Sequence, residues 1–260
     1  MKDLETYYEQ LRKGTLKVLS THFKKEKKVS KKNRNETNGV LHVKSVIPLT
    51  KNQENTFEAF HKKNLLLHGW AGTGKTYISL YLALKDIVEH GTYEKLFIVR
   101  SALASRSLGF LPGDLSEKLE VYETPYSNIV NELLGRNDGY KHLKEKGLID
   151  FVSTSYLRGV TLDDCIILVD EIQNCDWGEL STITTRIGKN VRVIFCGDYR
   201  QSDFRGVETH SKQDVKNFMH VINKMKTNFE SIEFGTQDII RGDIAREFLL
   251  TAYQLGYDGC

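Results

Sequence analysis

Residues 69–76 read Gly69-Trp70-Ala71-Gly72-Thr73-Gly74-Lys75-Thr76, the order Gly-x-x-x-x-Gly-Lys-Ser/Thr. Those types at that spacing suit the holding of phosphates. Gly69, Gly72 and Gly74 let backbone N–H groups turn inward around phosphate oxygens. Thr73 lies within the same cradle, and Tyr77 begins a helical run whose N-terminus adds partial positive charge. Lys75 is placed to bridge the β- and γ-phosphates. Thr76 offers a hydroxyl to Mg²⁺, which keeps several waters and takes its other contacts from phosphates and carboxylates. ATP and Mg²⁺ are the ligands this pattern anticipates.

Two later segments end in groups that complete such a site. The apolar run Cys165-Ile-Ile-Leu-Val169 leads into Asp170-Glu171. Neighbouring strand residues point to opposite sides, so the two acids should divide the work. Asp170 would hold a Mg²⁺-bound water near Thr76, and Glu171 would polarise the water that attacks the γ-phosphate. Val191-Arg-Val-Ile-Phe-Cys196 leads into Gly197-Asp198-Tyr199-Arg200-Gln201. Gln201 both donates and accepts, which fits contact with a γ-phosphate and detection of its loss. Asp198 either shares that signalling or pairs structurally with Arg200 or a neighbouring loop.

The elements that must carry these groups alternate. Short apolar runs at 65–68, 96–100, 148–152, 165–170, 191–196 and 232–234 are separated by longer helical patterns. Most runs are continuously apolar, as expected of strands buried on both faces of a parallel sheet. The predicted class is α/β, a three-layer core with a central parallel sheet and helices on both faces. Helix starts are marked by Asp114 with Glu117 and by Asp176 with Glu179, and Gly188 and Gly256 read as stops. Ile244, Phe248, Ala252 and Leu255 fall at helical spacing and predict a helix packed on the sheet.

Composition narrows the classes. The chain has 260 residues, 40% hydrophobic and 27% charged, which excludes a disordered or collagen-like polymer. Its longest apolar runs, Cys165 to Val169 among them, are five residues, far short of the roughly 20 residues of a spanning helix. With no secretory or transit pattern legible at the N-terminus, the expected location is the cytoplasm. The four cysteines, Cys165, Cys175, Cys196 and Cys260, lack metal-ligand spacing and read as reduced thiols. Net charge is +3, unevenly spread: residues 1–46 hold 12 Lys and Arg against 5 acids, and the remainder holds 25 against 29. The expected organisation is a basic, partly flexible extension over 1–46 and one nucleotide-binding domain over 47–260. Lys24, Lys25, Lys27 and Lys28, with Lys31, Lys32 and Arg34, form a cluster that reads either as a solubilising tail or as a phosphate-backbone contact for nucleic acid.

The motifs together resemble the PhoH-like ATPases, particularly their compact phage-type members. The resemblance rests on residues 69–76, Leu108-Gly-Phe-Leu-Pro-Gly-Asp114, Tyr156-Leu-Arg158-Gly-Val-Thr161-Leu162, Asp170-Glu-Ile-Gln-Asn174, Gly197-Asp-Tyr-Arg-Gln201 and Phe234-x-x-x-Asp238-Ile-Ile-Arg241, and spans about residues 47–260. It implies a RecA-like core, Mg²⁺-dependent ATP hydrolysis, a ring-shaped homo-oligomer with a hexamer favoured, and action on single-stranded RNA or DNA, as in a helicase. Cellular members often carry Arg-Pro after the second strand and Arg-Gly-Arg-Thr before the acidic strand, where Arg100-Ser101 and Arg158-Gly159-Val160-Thr161 stand here. Arg241 matches the family's late arginine and is the first candidate for the group that neutralises transition-state charge, acting from an adjacent subunit; Arg158 and Arg106 are rivals. Arg158 is also a candidate nucleic-acid contact. Gln53, in Thr50-Lys-Asn-Gln53, resembles the glutamine that some helicases set against adenine.

Other readings use the same loop. A small-molecule kinase would also want an acceptor pocket and a mobile arginine-bearing lid, and the Asp170-Glu171 pair argues against it. A GTPase would carry Asn-Lys-x-Asp, but Asn223-Lys224-Met225 continues to Lys226. A nucleotide-gated binding module, in which ATP orders the chain and the lysine-rich arm holds RNA, remains an alternative.

Overall fold

The computed structural model describes residues 41–101, 115–198 and 210–256. Six strands make one sheet: β1 (Asn64–Gly69), β2 (Lys95–Arg100), β3 (Ile149–Ser153), β4 (Cys165–Val169), β5 (Val191–Gly197) and β6 (Phe229–Phe234). Their spatial order is β3-β2-β4-β5-β1-β6, and every pairing is parallel. Each apolar run picked out in the sequence is a strand of this sheet.

Both faces are covered, which explains why the runs are continuous. On one face Leu65, Leu67, Leu96, Ile98, Ile166, Leu168 and Ile194 join one core; on the other Leu66, Phe97, Val99, Ile167, Val169, Val193 and Phe195 join a second. The first core is roofed by α1 (Lys51–Phe60), α2 (Lys75–Leu84), α3 (Leu115–Leu134) and α4 (Gly139–Glu145), through residues such as Phe60, Leu80, Val130 and Leu143. The second is roofed by α5 (Trp177–Thr185) and α6 (His210–Lys224), through Leu180, Ile183, Phe218 and Ile222. Each fully buried aliphatic side chain contributes about 1.5–3 kcal/mol relative to exposure. This is a three-layer α/β architecture with a central parallel sheet and helices on both faces.

Several local signals are realised. Asp176 caps α5 in a complete capping box, with its side chain accepting from the Glu179 N–H at 2.7 Å and Glu179 accepting from the Asp176 N–H at 3.1 Å. The helix after the phosphate loop runs on past Leu84 as a π turn over Lys85–His90, closed by Gly91 at φ 62°. At the start of the described chain Val43 is buried, and the Lys44 N–H donates to the Leu133 carbonyl at 2.7 Å. The cysteines Cys165, Cys175 and Cys196 are free and buried; Cys260 lies outside the described residues. Among the described residues no helix is long and apolar enough to cross a membrane.

The last helix, α7 (Asp243–Gln254), corrects one expectation. It forms where its periodicity places it and stops at Gly256, but it is not packed on the sheet. Ile244 is 86% exposed, Phe248 61% and Leu255 68%, and only Ala252 of the four is buried. Both sheet faces are already occupied, so α7 lies at the rim, where Tyr253 meets Trp70 edge-on at 4.9 Å. Helical spacing determines which residues share a stripe; it does not determine what covers the stripe.

Candidate functional site

Strand order sets the geography. β5 separates β1 from β4, and all three end at the same edge of the sheet. That edge therefore gathers the glycine loop after β1, the acids after β4 and Gly197-Asp198 after β5, where ligands of open α/β sheets bind.

The loop takes its shape from its glycines. Gly69, Gly72 and Gly74 have φ of 113°, 72° and 81°, and Gly74 is the N-cap of α2. A Cβ on Gly69 would stand 2.2 Å from the Phe234 carbonyl oxygen, so the position demands glycine for space as well as for dihedral angle. Thr73 is buried and its hydroxyl donates to the Trp70 carbonyl at 2.8 Å, leaving the backbone to face a ligand. Lys75 is 9% exposed, with Nζ donating to the carbonyls of Gly69 (2.9 Å) and Trp70 (2.6 Å). Burial pushes its ammonium below the ordinary lysine range, against the opposing pull of Cys196, Asp198, Asp170 and Glu171. An anionic ligand here would offset that desolvation.

Asp170 faces the loop. The Thr76 hydroxyl lies 3.1 Å from each of its carboxylate oxygens, and the Tyr126 hydroxyl of α3 donates to Oδ2 at 2.9 Å. Burial raises the Asp170 pKa, while Tyr126, the Arg100 charge and Thr76 oppose it. A hydroxyl beside a carboxylate at the mouth of a phosphate cradle is a hard-oxygen donor set, and it fits Mg²⁺. Glu171 departs from Asp170 because its backbone is left-handed at φ 56°, a non-glycine outlier of the kind that clusters at functional sites. Thus the division between the acids comes from a turn after β4, rather than from strand pleating. The Gln173 amide donates to the Glu171 carboxylate.

A family model described as PhoH-like protein matches residues 45–254. The chain belongs to the PhoH-like family. It is 32% identical to the PhoH-like protein of Bacillus subtilis (strain 168) over 211 residues, covering 79% of this chain and 63% of that one. It is 31% identical to Protein PhoH of Escherichia coli (strain K12) over 196 residues, covering 74% and 54%. This chain thus spans between about half and two thirds of the length of those relatives. Among solved structures, the large terminase from a thermophilic bacteriophage aligns with TM-score 0.45 at 8% identity over 79% of this chain and 50% of that one. Pif1 helicase from Candida albicans aligns with TM-score 0.37 at 16% identity over 80% and 44%.

Within this PhoH-like core the remaining candidates lie at unequal distances from the loop. Gln53 reaches the site, but as a brace. It is 2% exposed, its Nε2 donates to the Thr73 carbonyl at 2.9 Å, and its Oε1 accepts the Leu49 N–H at 2.8 Å. One end of the amide supports the loop and the other holds the chain ahead of α1. The Tyr77 hydroxyl turns to Glu132 on α3 at 2.9 Å, which leaves its side chain outside the cradle. Desolvation and that bond push the phenol up to about 12. Arg241 lies over the loop of its own chain: a Cβ on Gly72 would be 2.5 Å from Arg241 Cγ, and the Ile240 N–H donates to the Gly72 carbonyl at 3.0 Å. Arg158 is exposed on the turn after β3, at the far edge of the sheet. Four strand spacings, about 19 Å, separate β3 from β1. Gln201, Arg106, residues 108–114 and Lys24, Lys25, Lys27 and Lys28 lie outside the described residues.

Sequence reasoning missed three groups. Tyr126 contacts Asp170 directly. Arg100, at the end of β2, keeps its charge despite burial, through Tyr126, Glu171, Asp170 and Tyr122, and stacks on the Tyr122 ring at 5.2 Å. Asn52 donates to Asp238 at 2.8 Å and to the Glu233 carbonyl at 2.9 Å, tying α1 to the segment that carries Arg241. Asn52 adjoins the Gln53 motif, which is a usable signal. Nothing local marks Tyr126.

Proposed function

We propose that this PhoH-like chain is a Mg²⁺-dependent ATPase that couples hydrolysis to binding or remodelling of single-stranded nucleic acid as an oligomer. The observation that carries the reading is the placement of Asp170 on Thr76, beside a lysine whose surroundings include Asp198, Asp170 and Glu171. The loop amides and Lys75 would hold the β- and γ-phosphates, and Thr76 and Asp170 would hold Mg²⁺. When bound, Mg²⁺ neutralises phosphate charge. Glu171 would take the proton of the attacking water. Arg241, lying over the same loop, would meet the charge that spreads onto the γ-phosphate oxygens. The lysine-rich arm would supply nucleic-acid affinity through counterion release.

The test is steady-state hydrolysis by the full chain with and without single-stranded RNA and DNA, alongside a solution-mass measurement. Lys75→Ala should remove nucleotide binding and turnover together. Glu171→Gln should lower kcat by about 10² to 10⁴ while nucleotide still binds. Deleting residues 1–40 should lower RNA affinity and flatten its salt dependence. Hydrolysis indifferent to both substitutions would overturn the assignment. Nucleotide binding without turnover would favour the gated binding module instead.

A further inference from the structure

A buried amide, that of Gln173, ties the loop bearing Glu171 to β5. Gln173 is 5% exposed; its amide nitrogen donates to Glu171 Oε2, and its Oε1 accepts the Asp198 backbone N–H at 3.0 Å. Gly197, at the end of β5, provides the room. A Cβ there would stand 2.6 Å from Gln173 Oε1 and 2.6 Å from Ile172 Cγ1. The absent side chain of one strand end is therefore the space that the amide occupies. Both hydrogen-bonding ends of Gln173 serve the same geometry: one grips a carboxylate, the other a backbone group of the strand between the phosphate loop and the acids.

We propose that Gln173 is a positioning residue, a clamp that fixes the Glu171 carboxylate against the end of β5 and so sets its aim at the attacking water. The inference rests on the reading of Glu171 as the water-activating group. A glutamate on a left-handed turn has rotamers to choose among, and a buried amide donor selects one. Reacting groups displaced by about 1 Å lose up to about a hundredfold in rate, so the clamp acts on kcat rather than on nucleotide affinity.

The test compares Gln173→Leu, which loses both bonds, with Gln173→Glu, which keeps an acceptor for Asp198 but loses the donor. Gly197→Ala displaces the amide without altering it and serves as an independent third variant. In the full chain each should lower kcat about 10- to 100-fold, with Kd for nucleotide near that of the parent and the thermal midpoint lower only by the about 2–12 °C that an unpaired buried group or a displaced side chain costs. The decisive measurement is the double variant Glu171→Gln/Gln173→Leu. If Gln173 acts only through Glu171, the double is as slow as Glu171→Gln alone; a merely structural role makes the two losses multiply. Multiplying losses, or an unchanged kcat in Gln173→Leu beside a slowed Glu171→Gln, overturn the clamp and leave the ATPase reading standing. An unchanged kcat in Glu171→Gln overturns the assignment of the base, and the clamp with it.

Discussion

Gln53→Leu separates two roles that one residue could play, because leucine nearly fills the volume while removing both amide ends. In the structure those ends meet the Thr73 carbonyl and the Leu49 N–H. Leu49 is 71% exposed, so its N–H recovers water; Thr73 is fully buried, so its carbonyl is left without its donor. An unpaired buried acceptor costs about 1–3 kcal/mol. At about 2–4 °C per kcal/mol for a domain of this size, the melting midpoint of the nucleotide-free protein should fall by about 2–12 °C. The amide also stands against Gly74, where an added Cβ would be 3.0 Å from Nε2, so the loop should loosen and affinity should weaken equally for ATP and GTP. Calorimetry of the nucleotide-free protein and titrations with both nucleotides measure the two effects. An unchanged midpoint with a loss of affinity confined to ATP would refute the brace and favour an adenine contact.

Two further outcomes follow from the same geometry. Tyr126→Phe removes a hydroxyl that holds Asp170 from behind, and partners of this kind alter metal affinity by about 10- to 100-fold. Turnover should therefore need about tenfold more Mg²⁺, and an unaltered Mg²⁺ titration would refute the role. Gly69→Ala and Gly91→Ala both place a side chain at positive φ, but Gly91 has nothing within 4 Å whereas Gly69 meets the Phe234 backbone at 2.2 Å. The first should cost about 1–3 kcal/mol more than the second in denaturant melts, through overpacking against β6 added to a φ of 113° that lies outside the left-handed well Gly91 occupies at 62°; equal losses would refute the close approach of β6.

What could be read in advance divides along sequence distance. The phosphate loop was legible because its function is carried by consecutive backbone amides, and the acids because a strand delivers them to its own end. Strands were legible because a run buried on both faces needs no alternation. Failures occurred where a side chain answers to a residue far along the chain. Tyr126 and Asp170 are 44 positions apart, Gln173 and Asp198 25, and Gln53 and Thr73 20. Such pairs meet only in the assembled sheet, and chain order does not state where β5 inserts between β1 and β4. Arg241 shows the same dependence: its motif identifies an arginine, but only the pairing of β6 with β1 and the Ile240 bond to Gly72 place it over the loop of its own chain. The exposed stripe of α7 completes the pattern, since periodicity is local and cover is not. Residue types at short spacing therefore identify the chemistry of this site, and the order of strands decides which side chains hold it in aim.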